Sequence, residues 1–454
     1  MTASHEDLRA WDRAHVWHPF TQMLDWMGDD PLIISGGEGN YLIDVEGNRY
    51  LDGVSSLWCN LLGHNHPHLN TAIKSQLDQI AHSTLLGLSN VPSTLLARKL
   101  AEITPEGLTR VFYSDSGSTA TEIALKAAFQ YWQLRGETRR VKFASLVEAY
   151  HGDTLGAVSV GYSELFHHFY RPLLTETVRL TPPHLFRFRD GLSKAEALKA
   201  AVDDARQKLS RNREELAALI VEPLMQGAAG MWAQPVEYVQ ALRRLTRELG
   251  VLLICDEVAT GFGRTGKMFA CQHAEITPDL LCLAKGMTGG YLPLAATLTT
   301  EEVFSAFLAP YDEFKTFFHG HTYTGNPLGC AAALATLEVL EDEDVLSALQ
   351  PRITFLEQQL GACIAPLRQV ADIRRWGFMV GIELMRDPDR RIPYHAAQKI
   401  GVQVMMEARR QGVIIRPLGN VIVLMPPLSM TCDELEQLVR VVRISITRVT
   451  CPDS

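Results

Sequence analysis

The sequence predicts an α/β protein built on a mostly parallel sheet, and three observations carry that expectation. Between Val251 and Gly290 the chain reads VLLICDEVATGFGRTGKMFACQHAEITPDLLCLAKGMTGG, with two short apolar runs bounded by turn residues and ended by a charge. Such runs read as strands buried on both faces, the pattern of a parallel sheet. From Arg110 onward, apolar runs alternate with amphipathic stretches, the order of strands crossed over by helices. A length of 454 residues gives room for two or three domains and a large core.

Taken in order, residues 8 to 27 read as a helix followed by a loop containing HPFTQM. PLIIS, GNYLIDVEG and NRYLDG alternate apolar and polar residues around Gly47-Asn48, an antiparallel meander. GHNHPHL opens a helix with Pro67 near its first turn, and VPSTLLARKLAEI is a second amphipathic helix. The alternating core follows: RVFYS, EIALKAAFQYW, KFASLV, AALIVEP, VEYVQALRRLTRELG, VLLICDEV and DLLCLAKG. Residues 181–211 are basic and loop-like before a helical piece. Asn326-Pro327 has cap and first-turn chemistry for a long helix. Beyond it come a helix, the strands ADIRRWG and FMVGIELM, a helix, the strand pair VIIRPLG and VIVLMPP, and a closing helix. The expected organisation is a large α/β domain over residues 66–329, flanked by a smaller α+β domain built from residues 1–65 and 330–454.

Composition narrows the classes of function. Hydrophobic content of 46% and charged content of 21% are ordinary for a globular protein. A net charge of −9 gives no electrostatic footprint for nucleic acid or an anionic membrane, and no apolar run approaches the length of a membrane span. The first residues, MTASHEDLRAWDRAH, lack a secretory apolar core. The eight cysteines form no CxxC pair and read as small core residues in a reducing, cytoplasmic compartment.

The chemistry concentrates where strands end. The two apolar runs deliver Asp256 and Lys285 to their C-terminal edges, the edge at which open α/β sheets bind ligands. A carboxylate and an amine brought there together suit pyridoxal phosphate, which needs a lysine for its aldehyde and an anion for its pyridine nitrogen. SDSGSTATE joins a strand to a helix; Gly117 permits close backbone approach and Ser118 adds a hydroxyl, a site for a phosphate at a helix N-terminus. An ordinary N-cap is the alternative there. In AYHGDT, Tyr150 can stack on a pyridine ring, with Asp153 orienting it; a buried Tyr–Asp pair is the plainer reading.

GFGRTGKM matches two nucleotide-binding patterns and satisfies neither. As a P-loop it ends in Met268, where a magnesium-holding hydroxyl is required, and as a dinucleotide turn it opens no long helix. A tight positioning loop is the expectation. His64, His66 and His68 would share a metal only on an extended strand, which Pro67 opposes. In HGHTYTGNP, Thr322 is a candidate phosphate donor beside a plain turn reading. Arg416, on a strand flanked by Gly and Pro, suits bidentate binding of a carboxylate, or a structural ion pair.

With DSGS, YHGDT, DEVATGFGRTGK, LAKGMTGG and GNPLGCAAA on the page, the chain resembles the class III aminotransferases over nearly its whole length. The resemblance implies the fold-type I architecture, with a mostly parallel seven-stranded sheet in the large domain, and a homodimer. It implies that Lys285 carries pyridoxal phosphate, Asp256 pairs with its ring nitrogen, and Gly117 and Ser118 hold the phosphate. Tyr150 would line ring and substrate. Gly320 and Thr322 would arrive from the second subunit, with His321 in the same cofactor-binding set. Arg416 would take a substrate carboxylate. HPFTQM, SSLW, GHNHP, QYWQ, QGAAGM, GHTYTGNP and RPLGNVIVLMPP resemble the branch that aminates 8-amino-7-oxononanoate in biotin biosynthesis, with S-adenosylmethionine or L-lysine as donor. Phe20, Leu57 and Trp58 fall in its substrate-binding stretches. The S-adenosylmethionine-using members commonly carry Tyr where this chain has Phe20, a double Trp at Leu57-Trp58 and Pro at His321; the lysine-using members are more similar here. Ala228 stands where ornithine- and GABA-type relatives carry a Glu. The alternative is another class III ω-aminotransferase acting on a diamine or ω-amino acid.

Overall fold

The computed structural model describes residues 3–188 and 191–451. Its centre is a seven-stranded sheet, in spatial order Leu108–Ser114, Ala295–Thr300, Leu280–Leu283, Leu252–Asp256, Leu216–Val221, Lys142–Leu146 and Thr177–Leu180. Every pairing is parallel except those of Ala295–Thr300, which runs antiparallel to both neighbours. The apolar runs explain the middle of the sheet: LLICD, LLCL and LAALIV are buried at every position, so helices must cover both faces. One such helix, Val236–Leu249, turns its apolar stripe inward and stops at Gly250, whose φ of 63° ends it in the left-handed region.

The smaller units flank this sheet and complete a mixed α/β architecture. Ile34–Glu38, Tyr41–Asp44 and Arg49–Asp52 form the meander, and Val413–Ile414 from far along the chain pairs parallel to its last strand. Val370–Trp376, Met379–Asp387, Val421–Leu424 and Arg416–Leu418 form an antiparallel sheet, with Ile392–Pro393 pairing at its side. The GFGRTGK stretch is a loop that ties these parts together. Arg264, fully buried, donates to the carbonyls of Asn60 (2.9 Å) and Pro426, one from each flank of the chain.

Several elements differ from the sequence expectation. The N-terminal stretch holds two helices, His5–His15 and Met23–Gly28, on either side of the HPFT loop. Ala295–Thr300 was not read as a strand, because AATLTT lacks a large branched core run. Within 181–211 the chain is helical over Leu185–Phe188 and Lys194–Asn212, while residues 189 and 190 lie outside the described residues. Helix Pro327–Asp342 crosses the expected boundary at residue 329 and packs on helices Pro67–Gln79 and Val91–Ile103. The three histidines part: His64 pairs with Asp52 (3.0 Å), His68 with Glu338 (2.8 Å), and His66 caps the helix start. Among the described residues no helix is long and apolar enough to cross a membrane.

Candidate active site

A cavity of about 850 Å³ opens at the C-terminal edge of the seven-stranded sheet, in the size range of small-molecule sites. Its floor is made by four strand ends. Asp256 ends the central strand, and its neighbour strand Leu280–Leu283 leads through Ala284 to Lys285. On the other side, Leu216–Val221 leads to Glu222, and Lys142–Leu146 leads to the loop carrying Tyr150 and His151. Parallel register is the reason they converge: Ile254 pairs with Leu280 and with Ile220, so all these chains emerge at one level.

The carboxylate is held in place. Asp256 is 5% exposed; one oxygen lies 2.7 Å from His151 Nδ1 and the other accepts the Val258 amide at 3.0 Å. His151 Nε2 is buried and has no partner. Glu222 accepts the amides of Tyr150 (3.1 Å) and Gly227 (2.9 Å). Burial, reinforced by the Asp256 charge, pushes its carboxyl up to about 7 against the pull of His151. Burial also holds the Lys285 amine below the usual lysine value, opposed by the charges of Asp256 and Glu222. Its Nζ lies 4.9 Å from the centre of the Trp58 ring.

A helix terminus forms the next side. Ser116 caps helix Gly117–Leu134 by accepting the Thr119 amide, which leaves the first two amides, those of Gly117 and Ser118, without an intrahelical acceptor. Two glycines let the loops meet. A Cβ on Gly117 would stand 2.5 Å from Val258, and one on Gly152 would stand 2.4 Å from Ser118. Ser118 Oγ accepts the Thr154 amide (3.0 Å) and pairs with its hydroxyl (2.9 Å), locking the two loops. Glu122 accepts the amides of Gly156 and Ala157, and Thr119 closes the cap. Tyr150 donates to Asp153 at 2.7 Å; its phenol is raised by burial and by that carboxylate.

The remaining candidates stand at different distances from this cavity. Leu57 and Trp58 line it directly. Phe20 is exposed and meets Phe166 edge-on at 5.7 Å, beside His167, which stacks against Tyr150. His321 bonds Asp115 on the cavity rim at 2.7 Å. Gly320 and Thr322 are exposed and do not line this chain's own cavity. Arg416 is half-buried on a strand paired with Val423, and Val423 packs in the cluster around Trp58. Its guanidinium is lowered by burial and has no ion pair among the described residues. His151 and Glu222 were missed by sequence reasoning. Glu222 carries the same signal as Asp256, a charge ending a fully apolar run; His151 directly follows Tyr150.

A buried amine and a buried, braced carboxylate at neighbouring strand ends, beside a helix terminus with two amides to offer an anion, define an enzyme built around a phosphorylated carbonyl cofactor. The chain belongs to the class III aminotransferases, whose family model matches residues 26–445. These are pyridoxal phosphate enzymes, and the donor set here fits that group. The chain is 56% identical over 448 residues to the adenosylmethionine-8-amino-7-oxononanoate aminotransferase of Nitratidesulfovibrio vulgaris, covering 98% of this chain and 82% of that protein. It is also similar to the solved structure of the enzyme of that name from Methanocaldococcus jannaschii, with 47% identity, a TM-score of 0.93, and 98% and 99% of the two chains covered. A pyridoxal phosphate-bound amine transaminase from an uncultivated Pseudomonas species matches at 37% identity and TM-score 0.90, over 96% and 98% of the chains.

Proposed function

We propose that this aminotransferase converts 8-amino-7-oxononanoate to 7,8-diaminononanoate in biotin biosynthesis, with S-adenosylmethionine as amino donor. The observation that carries the reading is 56% identity, over nearly the whole chain, to a relative whose name states that acceptor and donor. Half-buried Arg416 supports it: it has no ion pair among the described residues, and an acceptor ending in a carboxylate would supply one.

Bound pyridoxal phosphate supplies an electron sink for the carbon that loses its proton. Lys285 would hold the cofactor and, once released, would move the proton; burial lowers its amine, which favours the neutral form a base needs. Asp256 keeps the ring nitrogen charged, and His151 holds Asp256 in orientation by the 2.7 Å contact. The Gly117 and Ser118 amides would hold the phosphate, Tyr150 would line the ring, and Leu57 and Trp58 would line the substrate.

The cavity is completed in a homodimer. Gly320 and Thr322 would reach the partner's cavity, and the exposed Leu86, Leu88, Tyr311, Phe314 and Phe318 would supply apolar surface for the contact. A cytoplasmic setting is inferred from the thiols of Cys255 and Cys282, which serve as small core residues inside buried strands.

A lysine donor is the second reading, favoured by Phe20, Leu57 and His321. The test is amination of 8-amino-7-oxononanoate by each donor, with the diamine identified by mass spectrometry. Product with S-adenosylmethionine supports the proposal; product with lysine alone transfers it to the second donor; product with neither overturns it.

A further inference from the structure

Ser55–Trp58 is the most contorted stretch of backbone in the cavity wall. Ser55, Ser56 and Trp58 all have positive φ, at 52°, 59° and 66°, and none is glycine. Ser56, with ψ of −72°, sits in the γ-turn region that side chains rarely enter. Such backbone persists only where its surroundings over-determine it.

Asp52 is what over-determines it. Its side chain is 0% exposed, and both oxygens accept the Ser56 amide, at 2.7 and 2.9 Å. One oxygen also accepts the Ser56 hydroxyl (3.0 Å) and faces His64 Nε2 (3.0 Å). His64 is fixed in turn by the Asn60 side chain at 3.0 Å, and Ser55 Oγ donates to the Met425 carbonyl at 2.6 Å. Ser55 and Ser56 are therefore pinned so that the next two residues, Leu57 and Trp58, line the cavity, with Trp58 against Lys285.

We propose that Asp52, with His64 behind it, is a positioning residue for substrate selection: it locks the Ser55–Trp58 turn and so fixes the Leu57–Trp58 wall of the cavity. The proposal rests on reading that cavity as the substrate chamber. Asp52 touches no reacting atom; it acts through the turn. Its loss widens the set of wall positions, which weakens binding of a substrate that must lie against them while leaving the chemistry at the strand ends in place.

Two variants test it. Asp52→Asn keeps the shape but replaces one acceptor with a donor. Ser56→Gly removes the hydroxyl held by Asp52 and takes the same φ without strain, so it retains the fold. Both are expected to raise KM for donor and acceptor on the order of tenfold with the limiting rate near wild type. Independently of turnover, residue-resolved alkylation by a thiol reagent is expected to label Cys59, next to Trp58 in the cavity, severalfold faster. If Asp52→Asn fails to fold, Ser56→Gly carries the test. Unchanged KM and unchanged Cys59 labelling in Ser56→Gly overturn the proposal, as does a fall in limiting rate with KM unaltered. A wild-type protein that aminates no ketone overturns the reading of the cavity instead, and Cys59 labelling still decides whether Asp52 holds the turn.

Discussion

The floor of the cavity and its Leu57–Trp58 wall meet around Lys285 but are held by different means. Asp256 ends a buried strand paired on both sides, and Glu222 and Lys285 follow just beyond the ends of its two neighbour strands, Lys285 at a φ of 47°. Leu57 and Trp58 stand on a turn with unfavourable dihedrals, held by one buried carboxylate and by contacts to the C-terminal part of the chain. The ends of adjacent buried strands position the groups that move protons and charge; a turn held by a buried carboxylate positions the groups that touch what varies between substrates. The difference teaches that a lesion in the floor removes chemistry, whereas a lesion in the wall redistributes specificity.

The sharpest break is Lys285→Ala. It is expected to abolish transamination and to leave a cofactor that dialyses away, read by loss of the visible absorbance. Asp256→Asn comes next, lowering kcat on the order of 10²–10³ with substrate KM little changed, because the charge that stabilises the reacting state is gone. Wild-type kcat in that variant contradicts the assignment. Arg416→Ala is expected to raise KM for 8-amino-7-oxononanoate about tenfold to a hundredfold, the equivalent of about 1.5–3 kcal/mol for a charged hydrogen bond, with little effect on the donor half-reaction. An equal effect on a donor lacking that carboxylate would remove Arg416 from acceptor binding.

The smallest effect concerns stability, and it sets the floor apart from the packing around Trp232. Burial beside Arg374 and Arg187 holds His184, packed on Trp232, down to about 3, whereas Glu222 in the floor is raised to about 7. His184 therefore contributes stability that is present above the ordinary histidine value and is lost as pH falls from about 6.5 toward 3. Glu222 does the opposite: its contribution is present below about 4.5 and is lost as pH rises through 7. In cofactor-free protein, His184→Gln is expected to flatten the acid side of a stability–pH profile, and Glu222→Gln the side between about 4.5 and 7. Unaltered slopes in urea titrations would contradict these shifts.

The same division decides what could be read from the sequence. VLLICD and DLLCLAK announce buried strands ended by a charge, so Asp256 and Lys285 were legible from burial pattern alone. The capped helix at Gly117 was legible because strand, small residues and helix follow one another without interruption. Glu222 ends AALIVE in the same way and could have been found by that rule. The wall was not legible in this sense. Nothing in DGVSSLWC signals three departures to positive φ among four non-glycine residues, because the cause is Asp52 acting with groups from far along the chain, such as the Met425 carbonyl. Ala295–Thr300 escaped for a related reason: its place is set by two neighbouring strands rather than by its own composition.

The most direct test of this division is the donor half-reaction followed in single turnovers across a range of donor concentrations, in Asp256→Asn and in Leu57→Trp. The account predicts that Asp256→Asn lowers the limiting rate at an unchanged half-saturating concentration. Leu57→Trp should keep the limiting rate and lower the half-saturating concentration of S-adenosylmethionine by about twofold to tenfold, as an added aromatic contact allows. The reverse pattern, with the strand-end variant altering saturation and the wall variant altering the limiting rate, would contradict it.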